Sequence, residues 1–226
     1  MWAIVVAAGE GNRFGGAKQF QPLGDRRVID WAVRGATRCC QGVVVVLAEE
    51  RTVGENAWSP TVAAGSGGTV VVTAGGVLRS DSVRCGLSRV PDDAGIVLVH
   101  DGARPLAGDA VFMRVIQAVR DGADAAVPVI NLTDTIRRRS GGVADRGDLV
   151  AVQTPQAFRA DVLRAAHAAG ADATDDATLV EAAGGTVAMV AGDSRNLKIT
   201  EPHDLAVAEA LLSRGQGLDP TGGDCV

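Results

Sequence analysis

Six short apolar runs, rich in β-branched residues, recur along the chain at 3–8, 43–48, 69–73, 95–100, 124–130 and 186–191. Helical patterns separate them at 27–39, 79–89, 109–121, 159–169, 175–183 and 202–213. Parallel strands need crossover connections, and a run with no polar alternation is buried on both faces. The alternation therefore predicts an α/β fold: a mostly parallel sheet with helices on both faces. In such sheets ligands bind beyond the carboxyl ends of the strands. Several runs end there in polar or glycine-rich segments, namely Gly9 onward, Ala74-Gly75-Gly76 and His100-Asp101.

The first of these ends carries the most chemistry. The run Ala3 to Ala8 stops at Gly9, and Gly9, Gly11, Gly15 and Gly16 follow, interleaved with Arg13 and Lys18. Glycines let backbone N–H groups converge on one point, and two cations beside them favour a polyanion such as a chain of phosphates. A plain turn remains the alternative. Position 14 is Phe where a dinucleotide fingerprint has its third glycine, and Ala17 follows Gly16 where a P-loop has lysine.

Size and charge narrow the classes. The chain has 226 residues, 46% of them hydrophobic, which suits one α/β unit over 1–213 with a disordered tail at 214–226. Twenty-two Lys and Arg against 27 Asp and Glu give a net charge of -5, which argues against a general nucleic-acid surface. Cys39, Cys40, Cys85 and Cys225 fit neither zinc spacing nor a disulfide framework, so reduced thiols are expected. No secretory signal is visible, and no apolar stretch reaches about 18 residues. The expectation is a soluble cytoplasmic protein with no membrane partner.

Residues 59–68 read as a flexible loop. Residues 131–153 break the alternation: Thr133–Arg138 and Leu149–Gln153 are strand-like around a Gly- and charge-rich link. They predict an inserted hairpin, which either reaches a partner subunit or is a surface excursion.

Other segments carry polar groups. In Gly75-Gly76-Val77-Leu78-Arg79-Ser80-Asp81-Ser82, Ser80 or Ser82 caps a helix, or Ser82 meets a base or ribose. Asp101, past an apolar strand and three residues before Arg104, is a helix or turn cap, an ion-pair partner, or a ligand for Mg2+. His100 is expected to be structural. Thr154 and Gln156 flank Pro155 as uncharged donors, Thr174-Asp175-Asp176 reads as a helix N-cap, and Lys198 is a third candidate phosphate cation. Cations, glycines and one or two carboxylates suit the charge neutralisation that phosphoryl-type transfer requires.

Taken in order, these segments resemble the 2-C-methyl-D-erythritol 4-phosphate cytidylyltransferase family. The matching stretches are Ala7 to Arg13 with Lys18-Gln19, Gly75-Gly76 to Arg79 with Ser82-Val83, and His100 to Pro105. They continue with Asp134-Thr135-Ile136, Arg146, Gln153 to Gln156, Thr174 to Asp176 and Asn196 to Thr200. The resemblance implies a Rossmann-like fold of the nucleotide-diphospho-sugar transferase type. It implies transfer of a cytidylyl group from CTP to methylerythritol phosphate, with Mg2+ and release of pyrophosphate. It further implies that Arg13, Lys18 and Lys198 are catalytic. Ala7, Ala8, Gly9, Gly11, Gly75, Gly76, Ser82 and Asp101 would bind the nucleotide, and Asp101 the metal. Arg104, Thr135, Arg146, Thr154 and Thr174 would bind the sugar phosphate. Residues 131–153 would be an arm exchanged in a homodimer. Ala17 stands where the family usually has Pro, and Gly102 where it has Ala. Rival readings are another acceptor such as ribitol 5-phosphate, a nucleotide-binding module without turnover and, more remotely, a dehydrogenase.

Overall fold

The computed structural model describes residues 1–54, 57–59, 68–173 and 175–215. Strand β1 (Trp2–Ala7) leads through a 3-10 turn at Lys18–Phe20 into a small hairpin, β2 (Pro22–Leu23) and β3 (Arg26–Arg27), and helix α1 (Val28–Cys39). There follow β4 (Gly42–Leu47), β5 (Thr69–Ala74), α2 (Arg79–Leu87), β6 (Ile96–Asp101), α3 (Asp109–Arg120) and β7 (Ala125–Asn131). The chain continues with β8 (Val150–Val152), β9 (Gln156–Arg159), α4 (Ala160–Ala168), α5 (Asp176–Ala182), β10 (Val187–Ala191) and α6 (Pro202–Gly215).

The main sheet runs in the order β10-β7-β9-β6-β1-β4-β5, with β8 also on β7. β1 pairs in parallel with β4 and β6, β4 with β5, and β7 with β10. Their carboxyl ends are level: Ala7 lies beside Leu47, Leu47 beside Ala74, and Val6 beside Asp101. Four strand ends thus deliver four loops to one rim, as predicted for a sheet of this kind.

Side chains on a strand alternate between faces, and the sheet uses both. Ala3, Val5, Val43, Val45 and Leu98 pack with Ile29, Val33, Phe112 and Ile116 of α1 and α3. Ile4, Val44, Val46, Val97 and Val99 pack on the opposite face with Val83, Leu87, Leu163 and Val180 of α2, α4 and α5. The apolar runs of the central strands β1, β4 and β6 are therefore continuous because their faces are covered on both sides, whereas the edge strands β5 and β10 are only partly buried.

Two features differ from expectation. Thr133–Arg138 does not form one limb of a hairpin with Leu149–Gln153. Gly141 and Gly142, at φ +105° and +78°, reverse the chain early. The Arg138 N–H then donates to Gly142 O at 3.1 Å, and the Ala144 N–H to Ile136 O at 2.8 Å. Strand pairing between these two sides goes no further than an isolated bridge, Arg137 to Val143. The second limb does form a strand, as Val150–Val152 pairs antiparallel with Val129–Asn131. The other difference is β9, a four-residue antiparallel strand inserted between β6 and β7, which carried no periodic signal of its own. The expected loop at 59–68 lies for the most part outside the described residues, as do Thr174, Cys225 and the tail beyond Gly215.

Candidate active site

The loop after β1 is built around one carbonyl. The N–H groups of Phe14, Gly15 and Gly16 all donate to Gly11 O, at 2.8, 3.1 and 3.3 Å. Gly11 sits at φ +72°, and a Cβ there would strike the Gly16 carbonyl, so the turn requires glycine. Buried Gln19 reaches back and its Nε2 donates to Ala7 O at 2.8 Å and Gly9 O at 3.0 Å. That amide ties the loop to the strand it leaves.

The loop forms one side of a cavity of about 350 Å³. Ala7, Ala8, Gly9, Gly11, Arg13, Lys18, Gly76, Ser82, Asp101 and Lys198 all line it. Gly75 lies behind this wall, where a Cβ would come within 2.6 Å of Ala8 Cβ. Burial lowers the pKa of the Lys18 ammonium, and repulsion from Lys198 and Arg13 lowers it further. Three cations that repel one another in a glycine-lined hollow describe an anion site.

On the far side, Ser82 Oγ donates to Leu78 O at 3.2 Å and accepts from Gly76 N–H at 3.3 Å. The cap of α2 comes from Asp81, which accepts from Leu78 N–H at 3.2 Å. Ser80, one of the two serines predicted as a cap, instead donates its hydroxyl hydrogen to Asp172.

Asp101 ends β6 at the cavity floor. Lys198 Nζ lies 2.9 Å and Arg104 Nε 3.5 Å from its Oδ2. Burial alone would raise its pKa, but Lys198, Arg79 and Arg104 outweigh that and hold it at about 2. The carboxylate is therefore ionised throughout the physiological range. Behind it, the Asp101 N–H donates to Thr154 Oγ1 at 2.9 Å, and Thr154 Oγ1 also lies 3.0 Å from His100 Nδ1. His100 Nε2 is 3.2 Å from Arg104 O. Full burial pushes this imidazole down to about 4. His100 is thus a neutral structural residue, as predicted, with Nε2 donating and Nδ1 accepting.

A second cleft of about 150 Å³ adjoins the first, lined by Arg79, Asp101, Arg104, Val152, Gln153, Thr154, Gln156, Asp175 and Lys198. Arg79, Asp101 and Lys198 line both. Arg104 Nη1 donates to Asn196 O at 2.7 Å, which fixes it at the cleft wall. Gln156 Nε2 donates to Asp175 Oδ2 at 2.9 Å, and its buried Oε1 has no partner among the described residues.

Of the residues expected at the sugar phosphate, Arg104 and Thr154 line this cleft, Thr154 with its hydroxyl already engaged by Asp101 and His100. Thr135 and Arg146 line neither cavity; both are exposed on the excursion, where Arg146 Nη1 donates to Thr133 O at 2.6 Å. Thr174 lies outside the described residues. The sequence reading gave no site role to Arg79 or Gln153 and no structural one to Gln19, while Asp175 caps α5 as read, its Oδ1 accepting from Ala177 N–H at 2.7 Å. The available signals were an arginine at the start of the helix after Gly75-Gly76 and a glutamine just beyond the glycine loop.

Comparison with known proteins decides the family. Residues 1–214 match the family described as 2-C-methyl-D-erythritol 4-phosphate cytidylyltransferase. The chain belongs to that family. A protein of that name from Nocardia farcinica is 43% identical, over 96% of this chain and 95% of that protein. A "Bifunctional enzyme IspD/IspF" from Dinoroseobacter shibae is 41% identical over 96% of this chain but 55% of its own length, so this chain spans about half of that relative. The crystal structure of the 2-C-methyl-D-erythritol 4-phosphate cytidylyltransferase of Thermus thermophilus superposes with a TM-score of 0.77. It is 35% identical and covers 93% of this chain and 98% of that one. This family member is thus a nucleotidyltransferase in fold, and no helix among its described residues is long and apolar enough to cross a membrane.

Proposed function

We propose that this chain transfers a cytidylyl group from CTP to 2-C-methyl-D-erythritol 4-phosphate, releasing pyrophosphate. One observation carries the reading: two adjoining cavities share a wall made of Asp101, Lys198 and Arg79. A reaction between two phosphates needs both anions brought together with their repulsion neutralised. The larger, glycine-lined cavity suits the triphosphate, and the smaller, with Arg104, suits the phosphate of the acceptor.

In this mechanism an oxygen of the acceptor phosphate attacks the α-phosphorus of CTP. The new P–O bond forms as the bond from α-phosphorus to the bridging oxygen of the β-phosphate breaks, and pyrophosphate leaves with that electron pair. Arg13 and Lys18 neutralise the triphosphate and the departing charge, and Lys198 holds the α-phosphate. Backbone groups of Ala7, Ala8, Gly9 and Gly11 approach the nucleotide, while Gly75, Gly76 and Ser82 border the cytidine. Among the described residues no three His, Cys, Asp or Glu side chains gather to hold a metal ion. That fits Mg2+ better than a caged metal, since Mg2+ binds through one carboxylate plus substrate phosphates. Asp101 would hold it, and the ion would add positive charge at the phosphates.

The same proposal includes a homodimer. Thr135 and Arg146 are too exposed to complete their own site but stand on an excursion that also exposes Val143, Leu149 and Val150. Both residues would enter the neighbour's cleft, with Thr154 and Thr174 bordering the same sugar phosphate. Residues 1–213 act as one unit in this reading, working in the cytoplasm. The test is a pyrophosphate-release assay crossing four nucleoside triphosphates with methylerythritol phosphate and ribitol 5-phosphate. CTP with the first acceptor is expected to give the highest kcat/KM. Preference for ribitol phosphate would replace the acceptor, and CTP binding without turnover would replace the reaction.

A further inference from the structure

We propose that His167 and Asp176 are positioning residues for the transfer, holding Arg79 as a fixed charge between the two substrates. The inference rests on the proposed reaction, in which both cavities receive phosphates. Of the three residues shared by both cavities, Asp101 and Lys198 pair with each other, whereas Arg79 Nη1 donates to Asp176 Oδ2 at 2.7 Å. Asp176 begins α5 and its side chain is 1% exposed. Its other oxygen, Oδ1, lies 3.0 Å from Nε2 of His167 on α4, which is equally buried. Each carboxylate oxygen therefore has its own partner, so the carboxylate cannot rotate without breaking one bond. The guanidinium bound to it is held in turn, and its remaining donors are left for phosphate oxygens.

Packing alone does not account for His167. The other buried residues of α4 are Ala160, Leu163 and Ala166, all apolar. His167 Nδ1 is buried without a partner among the described residues, a cost that leucine would avoid. The buried Arg79–Asp176 pair is likewise weak evidence for stability, because desolvation offsets its attraction. What both features supply is geometry. Two further contacts serve the same end, since Ser80 bonds Asp172 and Arg84 Nη1 donates to Ala171 O at 3.3 Å. These contacts tie α2 to Ala171 and Asp172, shortly before α5.

A double-mutant cycle tests this, comparing the native protein with His167→Leu, Arg79→Ala and the combination. The readouts are kcat/KM for pyrophosphate release and CTP affinity by calorimetry. His167→Leu is expected to lower kcat/KM about tenfold, as a misplaced charge does, and to cost almost nothing further once Arg79 is alanine. His167→Gln, whose amide N–H replaces Nε2–H, is expected to recover most of the loss. Equal losses in both backgrounds, no loss at all, or a glutamine variant as impaired as the leucine one would each overturn the proposal. If His167→Leu does not fold, Asp176→Asn takes its place in the cycle and the same two results decide. The calorimetric arm separates this proposal from the reaction itself. A native protein that binds CTP but turns over no acceptor removes the reaction, while coupling in CTP affinity still reports on His167 and Arg79.

Discussion

The two cavities share Arg79, Asp101 and Lys198, yet different segments complete their walls. The larger is walled by loops after β1, β5 and β6, all in the parallel part of the sheet, together with Lys198. The smaller adds Arg104 after β6, draws Val152, Gln153, Thr154 and Gln156 from the antiparallel strands β8 and β9 and the link between them, and takes Asp175 from the cap of α5. In the parallel half each wall is one loop following one strand, so its chemistry stands together in the sequence. In the antiparallel half a wall is assembled from segments whose contact is set by strand pairing alone. The larger cavity is faced by the mutually repelling cations Arg13, Lys18 and Lys198, and the smaller adds a hydroxyl and an amide held by His100 and Asp175. Under the proposed reaction the first receives the triphosphate and the second recognises the acceptor.

The strongest way to break that division is to remove charge from the parallel half. Lys18→Ala is expected to lower kcat by about 10²-fold or more, as loss of a preorganised electrostatic group does. Unchanged pyrophosphate release from the purified variant would remove Lys18 from the machinery.

The seam between the halves gives the next largest effect. His100 on β6 meets Thr154 before β9, and burial keeps its imidazole neutral with a pKa of about 4 against 6.5 in an unfolded chain. The unfolded state then binds the extra proton, so this stability is intact above pH 6.5 and is lost as pH falls toward 4. The loss amounts to about 3 kcal/mol. Denaturant unfolding of the native protein and His100→Gln across that range is expected to show a steeper acid slope in the native protein. Parallel slopes would place the acid sensitivity elsewhere.

Gln19 tests whether the glycine loop is preorganised. Gln19→Leu leaves Ala7 O and Gly9 O without their donor, and the expected cost is about 1–3 kcal/mol in unfolding free energy with a fall in kcat. A stable, fully active variant would show that Gly11 alone shapes the loop. Arg146 tests the recognition half and the dimer together. Arg146→Ala is expected to raise KM for the acceptor about tenfold, equivalent to one lost charged contact, with KM for CTP unchanged. Mixing it with Lys198→Ala subunits should restore the native acceptor KM in part of the sites if the arm crosses between chains, and should leave it raised if each arm serves its own site.

The smallest effect is expected from Ala17→Pro. Ala17 has φ -70°, which proline adopts without strain. The substitution should raise stability by about 0.4–1 kcal/mol and hold Lys18 more firmly, read as a higher Tm. A lower Tm would show that the loop before Lys18 needs the freedom alanine allows. Gly102 differs in kind, since a Cβ there would come within 2.8 Å of Ala7 Cβ. An alanine there would need β1 and β6 to separate slightly.

Much of the molecule was legible in the chain because its signals are local. The parallel strands, their helices, the glycine loop and Asp101 each occupy one continuous segment, and periodicity or a single dipeptide announces them. Thr133–Arg138 misled because a strand-like composition says nothing about its partner, and Gly141 and Gly142 turned the chain before Leu149 could pair with it. β9 was silent because four residues after a proline hold no period.

The sequence by itself determined which residues are apolar at which spacing, and hence an α/β sheet with polar groups gathered at its carboxyl rim. Only the tertiary structure decided that Arg79 and His167 meet on Asp176, 97 and 9 residues away from it along the chain. The physical reason is range. Backbone preference and burial act on neighbours in the chain, whereas the meeting of two charges depends on how helices settle on a sheet.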